Sequence, residues 1–519
     1  MTRRRIAIIG AGPAGLYAAR LLKTARPDWA VTVYERTRAS RETFGFGVVL
    51  TGSTLANLTG ADPDSAADIR AAGHAGHSLR LLHGSQSIDL HGARNLAIAR
   101  SSLLDVLTRH ARAAGVDLEI EQRVHAAAVD ADIVIAADGV RSETRTKLGS
   151  ELGADISVGR GRYLWCGTDF ALENSVFSPV RTEHGMFVAH AYPYAGSRST
   201  FLIETDDATW RAAGMDDSDR ATVPGESDEY SLHYLQQAFA AELSGHRLLG
   251  NRSRWLPFHT VHLQRWSHGN TVLIGDAAHT AHYTLGSGTK LAMEDAIALS
   301  RALLDESDIA AAFAAYEQAR RPSVERFQRL AARSQRWWES FPLRLRRPLP
   351  TLALGFLTRT GNIELGRLGA AGDQPLLDAL SELQGETLRE LPRDPVGWVL
   401  DRPISVEGRR LAGRVADSAE SLDDAAVIDW SGADPWNEAG DAAVDALRGS
   451  ARRTALLRGA DDLTAVQGRI DLAERLKLEL NRTVIVQLPE TARAEAAAAI
   501  ACGRCDLVRF SADQRLEQE

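Results

Sequence analysis

The chain has 519 residues, of which 44% are hydrophobic and 25% are charged, a composition that is ordinary for a soluble globular enzyme. Lys and Arg number 60 against 68 Asp and Glu, so the net charge is −8 and a protein that coats nucleic acid is not expected. Three cysteines cannot form a disulfide framework, and no apolar run is long enough for a transmembrane helix. We therefore expect a cytoplasmic protein with no membrane partner.

The first predicted elements are a strand, a glycine-rich turn and a helix. Residues 5–9 read RIAII, a β-branched apolar run that is typical of a strand buried on both faces. Gly10, Gly12 and Gly15 follow in a GxGxxG spacing, and a helical stretch extends from about residue 16 to 24. In a dinucleotide site these glycines permit the tight turn, the approach of a pyrophosphate and the close packing of the helix.

A second predicted strand, AVTVY at residues 30–34, ends at Glu35, which lies 20 residues after Gly15. A carboxylate at this place can accept hydrogen bonds from ribose hydroxyls. Because strand, turn, helix, second strand and acidic residue all occur in register, the N-terminal region predicts dinucleotide binding.

A second motif, ADIVIAADGVRSETR, covers residues 131–145 and contains a buried strand at 133–136. Asp138 stands at the carboxyl end of this strand, where ligands bind in such sheets. Asp138 and Ser142 could equally cap the helix that follows. The motif alone leaves both interpretations open.

The third motif, NTVLIGDAAHTAHYTLGSGTKLAMEDA, covers residues 270–296. A strand at 272–274 precedes Asp276, and Gly286 and Gly288 introduce a long helix. A carboxylate at the strand end can bond ribityl hydroxyls, and a helix N-terminus can face a flavin carbonyl that becomes negative on reduction. This motif therefore indicates a flavin dinucleotide.

In this order and spacing, the three motifs resemble the single-component FAD-dependent aromatic hydroxylases of the para-hydroxybenzoate hydroxylase superfamily. The resemblance implies an α/β fold in which a Rossmann-like FAD-binding domain carries an inserted mixed β-sheet substrate domain, long C-terminal helices and an additional small α/β tail domain. The expected monooxygenase covers residues 1–375, with FAD-binding segments at about 1–70, 95–165 and 255–340, a substrate sheet at about 70–95 and 165–255, and helices at 330–375, and the tail covers 396–519.

The resemblance also assigns the FAD contacts, with Arg100 reaching toward the phosphates and Asp138 near the pyrophosphate and the visiting nicotinamide nucleotide. The residues implied to bind the cofactor are Gly10, Gly12, Pro13, Ala14, Gly15, Glu35, Arg36, Gly47, Val48, Arg100, Asp138, Asp276, Gly286, Gly288 and Thr289. Two positions depart from the family, which usually has proline where Tyr283 stands and asparagine where Lys290 stands. The contacts around the flavin ring are therefore left open.

Five stretches match a narrower group, namely GFGVVL, GRYLWCGTDF, TEHGMFVAHAYPY, STFLIE and GSGTKLAMEDAIAL. They resemble the salicyloyl-CoA 5-hydroxylase and 2-aminobenzoyl-CoA monooxygenase group, with the indole hydroxylase of violacein biosynthesis as a more distant relative. The implied reaction is hydroxylation of an aromatic thioester that carries an ortho hydroxyl or amino group, with NADH or NADPH as reductant and O2 as oxidant. A free aromatic acid, a carrier-protein-bound aryl group, an indole intermediate and a flavin protein without oxygenation stay open as alternatives.

The chemistry of such an enzyme belongs to the cofactor, because reduced FAD forms a flavin hydroperoxide whose distal oxygen the ring attacks. The protein must exclude water and orient the ring, so a catalytic nucleophile is not required. His190 and His282 are the candidate bases for a phenol or aniline proton, although either could be a packed core histidine. The candidate substrate residues are Phe46, Tyr192, Tyr194 and Tyr283, and alternation over residues 187–194 places His190, Tyr192 and Tyr194 on one face of a strand.

Other patterns give weaker expectations. His74, His77, His83 and His91 show no recognised ligand spacing, so no metal is expected. Residues 288–340 predict long helices broken near Pro322. A basic cluster could meet the phosphates of CoA or form a solvated face, and it comprises Arg344, Arg346, Arg347 and Arg359.

The tail predicts short strands at 427–430, 454–457, 483–488 and 506–510, separated by helices. Its sequence faintly resembles the closing third of an old-yellow-enzyme barrel, but a (β/α)8 barrel needs about 250 residues and the tail has 124. We therefore expect a remnant without FMN, which is one candidate surface for a homodimer. The motif formed by Cys502 and Cys505 lies close to the C-terminus, and a helix-to-strand turn is favoured over a redox site.

Overall fold

The structure is a computed structural model that describes residues 4–37, 46–75, 78–90, 95–416 and 425–511. The chain divides into two compact units. The first comprises residues 1–84 and 91–335, and the second comprises residues 85–90 and 336–519. The sequence-derived boundary between residues 375 and 396 falls inside the second unit, and the domain division drawn from sequence stays a prediction.

The described part of the chain contains strands and helices throughout. The strands are β1 (Arg5–Ile9), β2 (Ala30–Glu35), β3 (Gly47–Leu50), β4 (His74–Ala75), β5 (Leu79–His83), β6 (Gln86–Leu90), β7 (Leu96–Ala99), β8 (Asp117–Ile120), β9 (Ile133–Ala136), β10 (Ala154–Thr168), β11 (Ser175–Arg181), β12 (Met186–Ala195), β13 (Arg198–Asp206), β14 (Leu248–Leu249), β15 (Leu256–Leu263), β16 (Ser267–His268), β17 (Thr271–Leu273), β18 (Ile404–Val406), β19 (Arg409–Leu411), β20 (Ala425–Asp429), β21 (Thr454–Arg458), β22 (Thr483–Pro489) and β23 (Leu507–Ser511). The helices are α1 (Pro13–Ala25), α2 (Gly52–Ala61), α3 (Pro63–Ala72), α4 (Arg100–Ala113), α5 (Glu143–Lys147), α6 (Gly149–Leu152), α7 (Asp207–Ala212), α8 (Met215–Ala221), α9 (Glu229–Ala238), α10 (Ala240–Leu243), α11 (Gly288–Asp305), α12 (Ile309–Glu339), α13 (Leu349–Thr358), α14 (Leu365–Ala370), α15 (Gln374–Gln384), α16 (Pro395–Leu400), α17 (Glu438–Arg448), α18 (Leu463–Leu480) and α19 (Arg493–Ala501).

The first unit contains a sheet in the order β16-β17-β9-β1-β2-β8, in which β17, β9, β1, β2 and β8 run parallel. One of its central strands is the RIAII run, whose last four residues are buried, as the apolar run predicts for a strand of a parallel sheet. The carboxyl ends of parallel strands share one edge, so the loops that contain Gly10, Asp138 and Asp276 lie beside one another. The predicted Rossmann-like arrangement is confirmed.

The first unit also contains a mixed sheet, with strands in the order β14-β10-β13-β12-β11-β5 and with β15 also paired to β10, and a small sheet in the order β3-β7-β4. Alternate side chains of its strands point to one face and form an apolar core with α9, for example Phe187, Phe201 and Leu235. The opposite face carries His190 and Glu204, which are polar and nevertheless buried.

Helix α12 continues through Pro322 without interruption, so the predicted break at this residue is wrong. A proline inside a helix costs about 3 kcal/mol because it removes a backbone donor and crowds the preceding turn. The two arginines that precede Pro322 bind this part of the helix to residues outside it. Arg320 Nε lies 2.9 Å from Asp295 Oδ1, and Arg321 Nη1 donates to the Leu263 carbonyl at 3.0 Å.

The second unit is built on a parallel sheet in the order β20-β21-β22-β23, so every strand pairs with the next strand along the chain. These strands correspond to the four predicted from the sequence. One face packs against helices α18 and α19. The other face is covered by the β18–β19 hairpin through Ile404, Val406 and Leu411. Consecutive parallel order is the order of barrel strands, but the interpretation of the tail as a barrel remnant stays a prediction.

The basic cluster, for which the sequence left a CoA-phosphate contact and a solvated face open, is instead largely paired or buried inside the second unit. Arg344 is 3% exposed and Arg347 is partly buried, and both form ion pairs with Glu474 at 2.6 and 2.7 Å. Arg359 is buried against the Phe356 ring, and only Arg346 is exposed among these four arginines. Neither sequence interpretation describes the cluster as a whole. The sequence did not reveal the ion pairs because Glu474 lies about 130 residues away.

Candidate active site

The turn between β1 and α1 leaves space only at its middle glycine. A Cβ on Gly10 would lie 2.3 Å from the Ala137 carbonyl oxygen, and a Cβ on Gly15 would lie 2.1 Å from the Gly10 carbonyl oxygen. Gly10 also has a φ of +106°, which L side chains rarely adopt. At Gly12, by contrast, no atom lies within 4 Å of the Cβ position. The turn is therefore packed against the sheet on one side and open on the other, at the N-terminus of α1.

Glu35 ends β2 beside this opening. Its Oε2 accepts a hydrogen bond from the Ala11 backbone at 2.9 Å, and its Oε1 accepts one from the Thr37 backbone at 2.8 Å. This places a carboxylate next to the glycine turn, as a ribose contact requires. Arg36 forms an ion pair with Glu143 at 3.7 Å, and its predicted contact with the cofactor stays a prediction.

Asp138 and Ser142 form the helix cap that the sequence left open. Asp138 accepts hydrogen bonds from the Ser142 hydroxyl at 2.6 Å and from the Thr144 backbone at 3.1 Å. Ser142 in turn accepts one from the Arg145 backbone at 2.9 Å. The Arg145 guanidinium donates to the Ala277 carbonyl at 2.9 Å and so fixes the second motif to the third.

Asp276 lies in a cleft at the carboxyl edge of the parallel sheet. Its side chain is accessible to solvent, yet burial by the surrounding protein raises its pKa, an effect that the nearby Arg100 and His279 only partly oppose. A Cβ on Gly288, the first residue of α11, would lie 4.0 Å from Asp276 Oδ1. Gly286 has a φ of +60°, which lets the chain turn into this helix. Asp276 therefore lies beside the N-terminus of α11, which has Thr289 in its first turn, and Arg100 is close enough to oppose the rise in the pKa of Asp276.

These features fit the cofactor that the sequence implies. FAD needs a backbone opening for its pyrophosphate, a carboxylate for its ribose and a polar group at a strand end for its ribityl chain. Gly12, Glu35 and Asp276 meet these needs along one sheet edge. Pro13 and Ala14 open α1 directly behind the turn.

Strand β3 connects the cleft to the mixed sheet. The Tyr192 hydroxyl donates to the Gly47 carbonyl at 2.7 Å, and the Gly47 backbone donates to Thr200 at 2.9 Å. Burial raises the pKa of Tyr192 to about 12, so its hydroxyl stays protonated. A Cβ on Gly47 would lie 2.7 Å from Tyr194, so Tyr194 packs on the same strand. Two of the three predicted substrate tyrosines, Tyr192 and Tyr194, therefore contact β3.

The remaining residues predicted around this strand have defined neighbours as well. A Cβ on Gly167 would meet the Phe46 ring at 2.3 Å, so Phe46 packs against β10. Val48 pairs with Ile98 of β7 and packs against the main core. Their roles toward cofactor and substrate stay predictions.

His190 and Tyr283 meet at a buried carboxylate, Glu204, which the sequence analysis did not single out. His190 Nε2 lies 3.2 Å from Glu204 Oε1, and the Tyr283 hydroxyl donates to Glu204 Oε2. Burial alone would raise the pKa of Glu204, but the charges of His190 and His282 and the Tyr283 hydrogen bond outweigh it and leave that pKa lowered. His282 Nδ1 lies 3.1 Å from Thr284 Oγ1.

Aromatic rings surround this cluster. The Tyr283 ring centroid lies 4.0 Å from that of His282 and 4.9 Å from that of Tyr163, while Phe258 lies 4.7 Å from His282. Trp165 stands edge-on to Tyr283 at 6.3 Å. Burial, with a smaller effect of Asp276, raises the pKa of Tyr163 to about 12. These rings form a wall of apolar and weakly polar side chains. The wall reaches from the mixed sheet to the Asp276 cleft.

Sequence reasoning missed Glu204 and Tyr163 although both lie in stretches that it quoted. Each stretch, GRYLWCGTDF and STFLIE, is otherwise dominated by residues suited to a buried strand. The available signal for Glu204 was a single carboxylate at the end of an apolar run, because such a charge must find partners when it is buried. Its cross-strand neighbour is Tyr163, a pairing that no local pattern indicates.

Lys290, at the position where the resembled family has asparagine, faces protein rather than open space. It donates to Glu294 one turn later in α11, and Asn57 donates to the same oxygen at 2.8 Å. Arg320 bridges Glu294 and Asp295 at 3.4 and 2.9 Å. Within the described residues, no three His, Cys, Asp or Glu side chains converge as metal ligands would.

Comparison with known proteins agrees with this arrangement. The sequence model of a family described as an FAD binding domain matches residues 105–331. Salicyloyl-CoA 5-hydroxylase from a Streptomyces species is 38% identical over 496 residues, which cover 91% of this chain and 93% of that protein. The 3-hydroxy-4-methyl-anthranilyl-(aryl-carrier protein) 5-monooxygenase of Streptosporangium sibiricum is 39% identical over 370 residues, which cover 71% of this chain and 97% of that protein.

Solved structures support the fold. The tetrameric form of 2-methyl-3-hydroxypyridine-5-carboxylic acid oxygenase has a TM-score of 0.53 and 23% identity, and the match covers 72% of this chain and 98% of that one. At that identity the likeness concerns the fold, which is the predicted one. Among the described residues, no helix is both long enough and apolar enough to span a membrane.

The relatives by sequence, together with a fold that agrees with them, define a flavoprotein monooxygenase. The chain belongs to the family of FAD-dependent aromatic monooxygenases that contains these relatives. It is an enzyme that uses FAD to hydroxylate an aromatic ring, with NAD(P)H and O2 as the usual co-substrates of the class. The predicted class, cofactor and type of reaction are confirmed.

Proposed function

We propose that the substrate is an aryl-CoA thioester of the salicyloyl-CoA type, in which the ring carries an ortho hydroxyl group. The extent of the similarity carries this proposal. The match with the salicyloyl-CoA enzyme leaves 9% of this chain uncovered, which is a smaller share than the tail of 124 residues occupies in the 519-residue chain. The match with the carrier-protein enzyme leaves 29% uncovered. The C-terminal region therefore has a counterpart in a protein named for a CoA thioester.

Toward FAD, the proposed contacts follow the open edge of the parallel sheet. Gly12 and the N-terminus of α1 would receive the pyrophosphate, with Arg100 as an additional phosphate partner. Glu35 would bond the adenosine ribose, and Asp276 would bond the ribityl chain. Bound FAD supplies the oxygen-transfer chemistry, and the N-terminus of α11 would face its pyrimidine carbonyl.

Toward the aromatic ring, the protein's part is positioning and shielding. The wall formed by Tyr163, Phe258, His282 and Tyr283 offers faces and edges for a ring to pack on. The same rings exclude water, which protects the reactive cofactor from wasteful decay. His190, buried at the end of this wall, is the proposed acceptor for a proton from the ring substituent.

A product assay tests the substrate. The holoenzyme is incubated with NAD(P)H, O2 and either salicyloyl-CoA or free salicylate, and products are analysed by mass spectrometry. We expect salicyloyl-CoA to gain the mass of one oxygen atom with nearly stoichiometric NAD(P)H consumption, and salicylate to be converted at least about a hundredfold less efficiently. Equal conversion of both compounds, or no oxygenated thioester, contradicts the proposal.

A carrier-protein-bound aryl group is the second candidate, and it is favoured by the 39% identity to the Streptosporangium sibiricum enzyme. The same assay distinguishes it when salicylate is presented on a phosphopantetheinylated carrier protein. Faster conversion of that conjugate than of salicyloyl-CoA would replace the first candidate by the second.

A further inference from the structure

Glu204 stands out among the residues of the active site because both of its oxygens contact side chains that can themselves exchange protons. His190 Nε2 lies 3.2 Å from one oxygen, and the Tyr283 hydroxyl donates to the other. Glu204 and His190 are only 9% and 7% exposed. The three groups come from β13, β12 and the loop before α11, so the fold brings them together from separate segments.

Burying a carboxylate is costly unless charges or hydrogen bonds compensate it. At Glu204 the compensation comes from the charges of His190 and His282 and from the Tyr283 hydroxyl. A histidine compensates fully only when it is protonated. Because Glu204 Oε1 lies 3.2 Å from His190 Nε2, it is placed to stabilise a positive charge that forms on this imidazole.

We propose that Glu204 is a positioning residue of the hydroxylation, which orients His190 to accept the proton of the ring hydroxyl and stabilises the imidazolium that results. The substrate O–H bond breaks, its electron pair stays on the oxygen, and an N–H bond forms on His190, so no electron is transferred between molecules. The phenolate ring is richer in electrons and attacks the oxygen donor more readily. This inference rests on the proposed function, because it requires a ring substituent that ionises.

The other groups that face Glu204 do not replace His190 in this role. Tyr163 lies directly across the strand pair on β10, and burial raises its pKa to about 12, so it stays neutral. The Tyr283 hydroxyl already donates a hydrogen bond to the carboxylate. His282 acts on Glu204 through its charge and contacts Thr284, whereas His190 contacts the carboxylate itself. His282 is therefore the alternative base that the experiment must separate.

The decisive variant is Glu204→Gln, which keeps the shape and a hydrogen-bond acceptor for Tyr283 but removes the charge. Salicyloyl-CoA is bound to the oxidised holoenzyme without reductant, and the absorbance of its phenolate is recorded as a function of pH. In the wild-type enzyme the phenolate band should be present at neutral pH, because the proton resides on His190. In Glu204→Gln the band should weaken at neutral pH and return about 1–3 pH units higher, the range over which a nearby charge shifts an ionisation.

The opposite sign would overturn the inference. If Glu204 only repelled negative charge, its removal would strengthen the phenolate band at neutral pH. An unchanged titration, or a shift abolished by His282→Ala but not by His190→Ala, would equally reject it. Failure of salicyloyl-CoA to bind to the wild-type enzyme would instead count against the proposed substrate, so the two failures are distinguishable.

Turnover gives an independent measurement. In Glu204→Gln we expect NAD(P)H oxidation to continue while oxygenated product falls about a hundredfold, the lower range for loss of general-base assistance. Glu242→Gln is the matched control, because Glu242 accepts a hydrogen bond from Ser178 of β11 in the same sheet at 2.6 Å but on the helix-covered side. It should keep both the wild-type coupling and the wild-type phenolate titration. Equal losses in both variants would indicate a merely structural role for Glu204.

Discussion

Two buried glutamates, one in each unit, show how the partner of a charge decides what a site can do. Glu204 in the first unit contacts His190 and Tyr283, which are side chains with exchangeable protons. Glu474 in the second unit is held by Arg344 and Arg347, which stay charged at any pH that a protein survives. The first arrangement can move a proton, whereas the second can only hold two segments together.

The carboxyl edges of the two parallel sheets differ in the same way. In the first unit the edge is open at Gly12, where no atom lies within 4 Å of a Cβ position. In the second unit a Cβ on Gly459 would lie 2.1 Å from the Trp430 carbonyl oxygen, and one on Gly468 would lie 1.9 Å from the Gly432 carbonyl oxygen. A methyl group would fit at Gly12 on the first edge, whereas backbone atoms occupy the corresponding space at Gly459 and Gly468 in the second unit.

The largest expected effect breaks the ion pairs of the second unit. Glu474→Gln leaves Arg344 and Arg347 buried without their carboxylate, which should lower the free energy of unfolding of this unit by about 3–5 kcal/mol. Urea unfolding followed by circular dichroism measures the loss. The flavin content should stay at the wild-type value, because Glu474 belongs to the second unit.

An exposed ion pair of the second unit provides the control for this variant. Glu490→Gln removes an exposed ion pair with Arg493 and should cost no more than about 1 kcal/mol of unfolding free energy.

The pH dependence of stability gives a second test of Glu474. Burial alone would raise the pKa of Glu474, but its arginines lower that pKa far below the ordinary glutamate value. A carboxyl group whose pKa is lower in the folded than in the unfolded protein stabilises the fold at pH values above its unfolded-state pKa. This stabilisation is lost as the pH falls. The wild-type protein should therefore lose stability below about pH 4–5, and the loss should be smaller in Glu474→Gln.

A glycine pair tests the difference between the two sheet edges. Gly12→Ala places a methyl group in open space, so the melting temperature of the apoprotein should stay close to wild type while FAD binds about tenfold more weakly or worse. Gly459→Ala forces a methyl group against backbone and should destabilise the second unit with no change in FAD affinity. Flavin fluorescence titration and thermal unfolding measure the two quantities. Wild-type FAD affinity in Gly12→Ala would contradict the proposed pyrophosphate site.

The sequence predicts the first unit well wherever function depends on short segments. The strand, turn and helix around Gly12, the acidic residue Glu35 and the strand ends before Asp138 and Asp276 are all local patterns with a fixed spacing. Parallel strands then bring these patterns to one edge without further information. The fold class and cofactor could be predicted for this reason.

Contacts between distant segments could not be predicted in this way. Glu204 meets Tyr283 across 79 residues, and Arg344 meets Glu474 across 130 residues. The sequence alone does not show whether a charged side chain is solvated or forms an ion pair with a distant residue. The continuous helix through Pro322 has the same origin, because its support comes from Asp295 and other residues outside the helix.

The smallest expected effect concerns the three cysteines, and it sharpens the comparison between the units. Cys166 lies in the first unit and Cys502 and Cys505 lie in the second, and all are buried. Burial raises the pKa of each thiol, to about 12 for Cys505, so little reactive thiolate exists at neutral pH. A thiol reagent should therefore leave the native protein unlabelled and should label three thiols after unfolding.

The order in which the three thiols are labelled in urea distinguishes the unfolding of the two units. In Glu474→Gln the second unit should open first, so Cys502 and Cys505 should react before Cys166, as mass spectrometry of labelled peptides can show. Rapid labelling of Cys502 and Cys505 in the native wild-type protein would mean that this cysteine pair is an accessible redox motif and not the buried turn between α19 and β23. Simultaneous labelling of all three thiols in the variant would mean that the units unfold as one, and the ion pairs of Glu474 would then stabilise the whole chain.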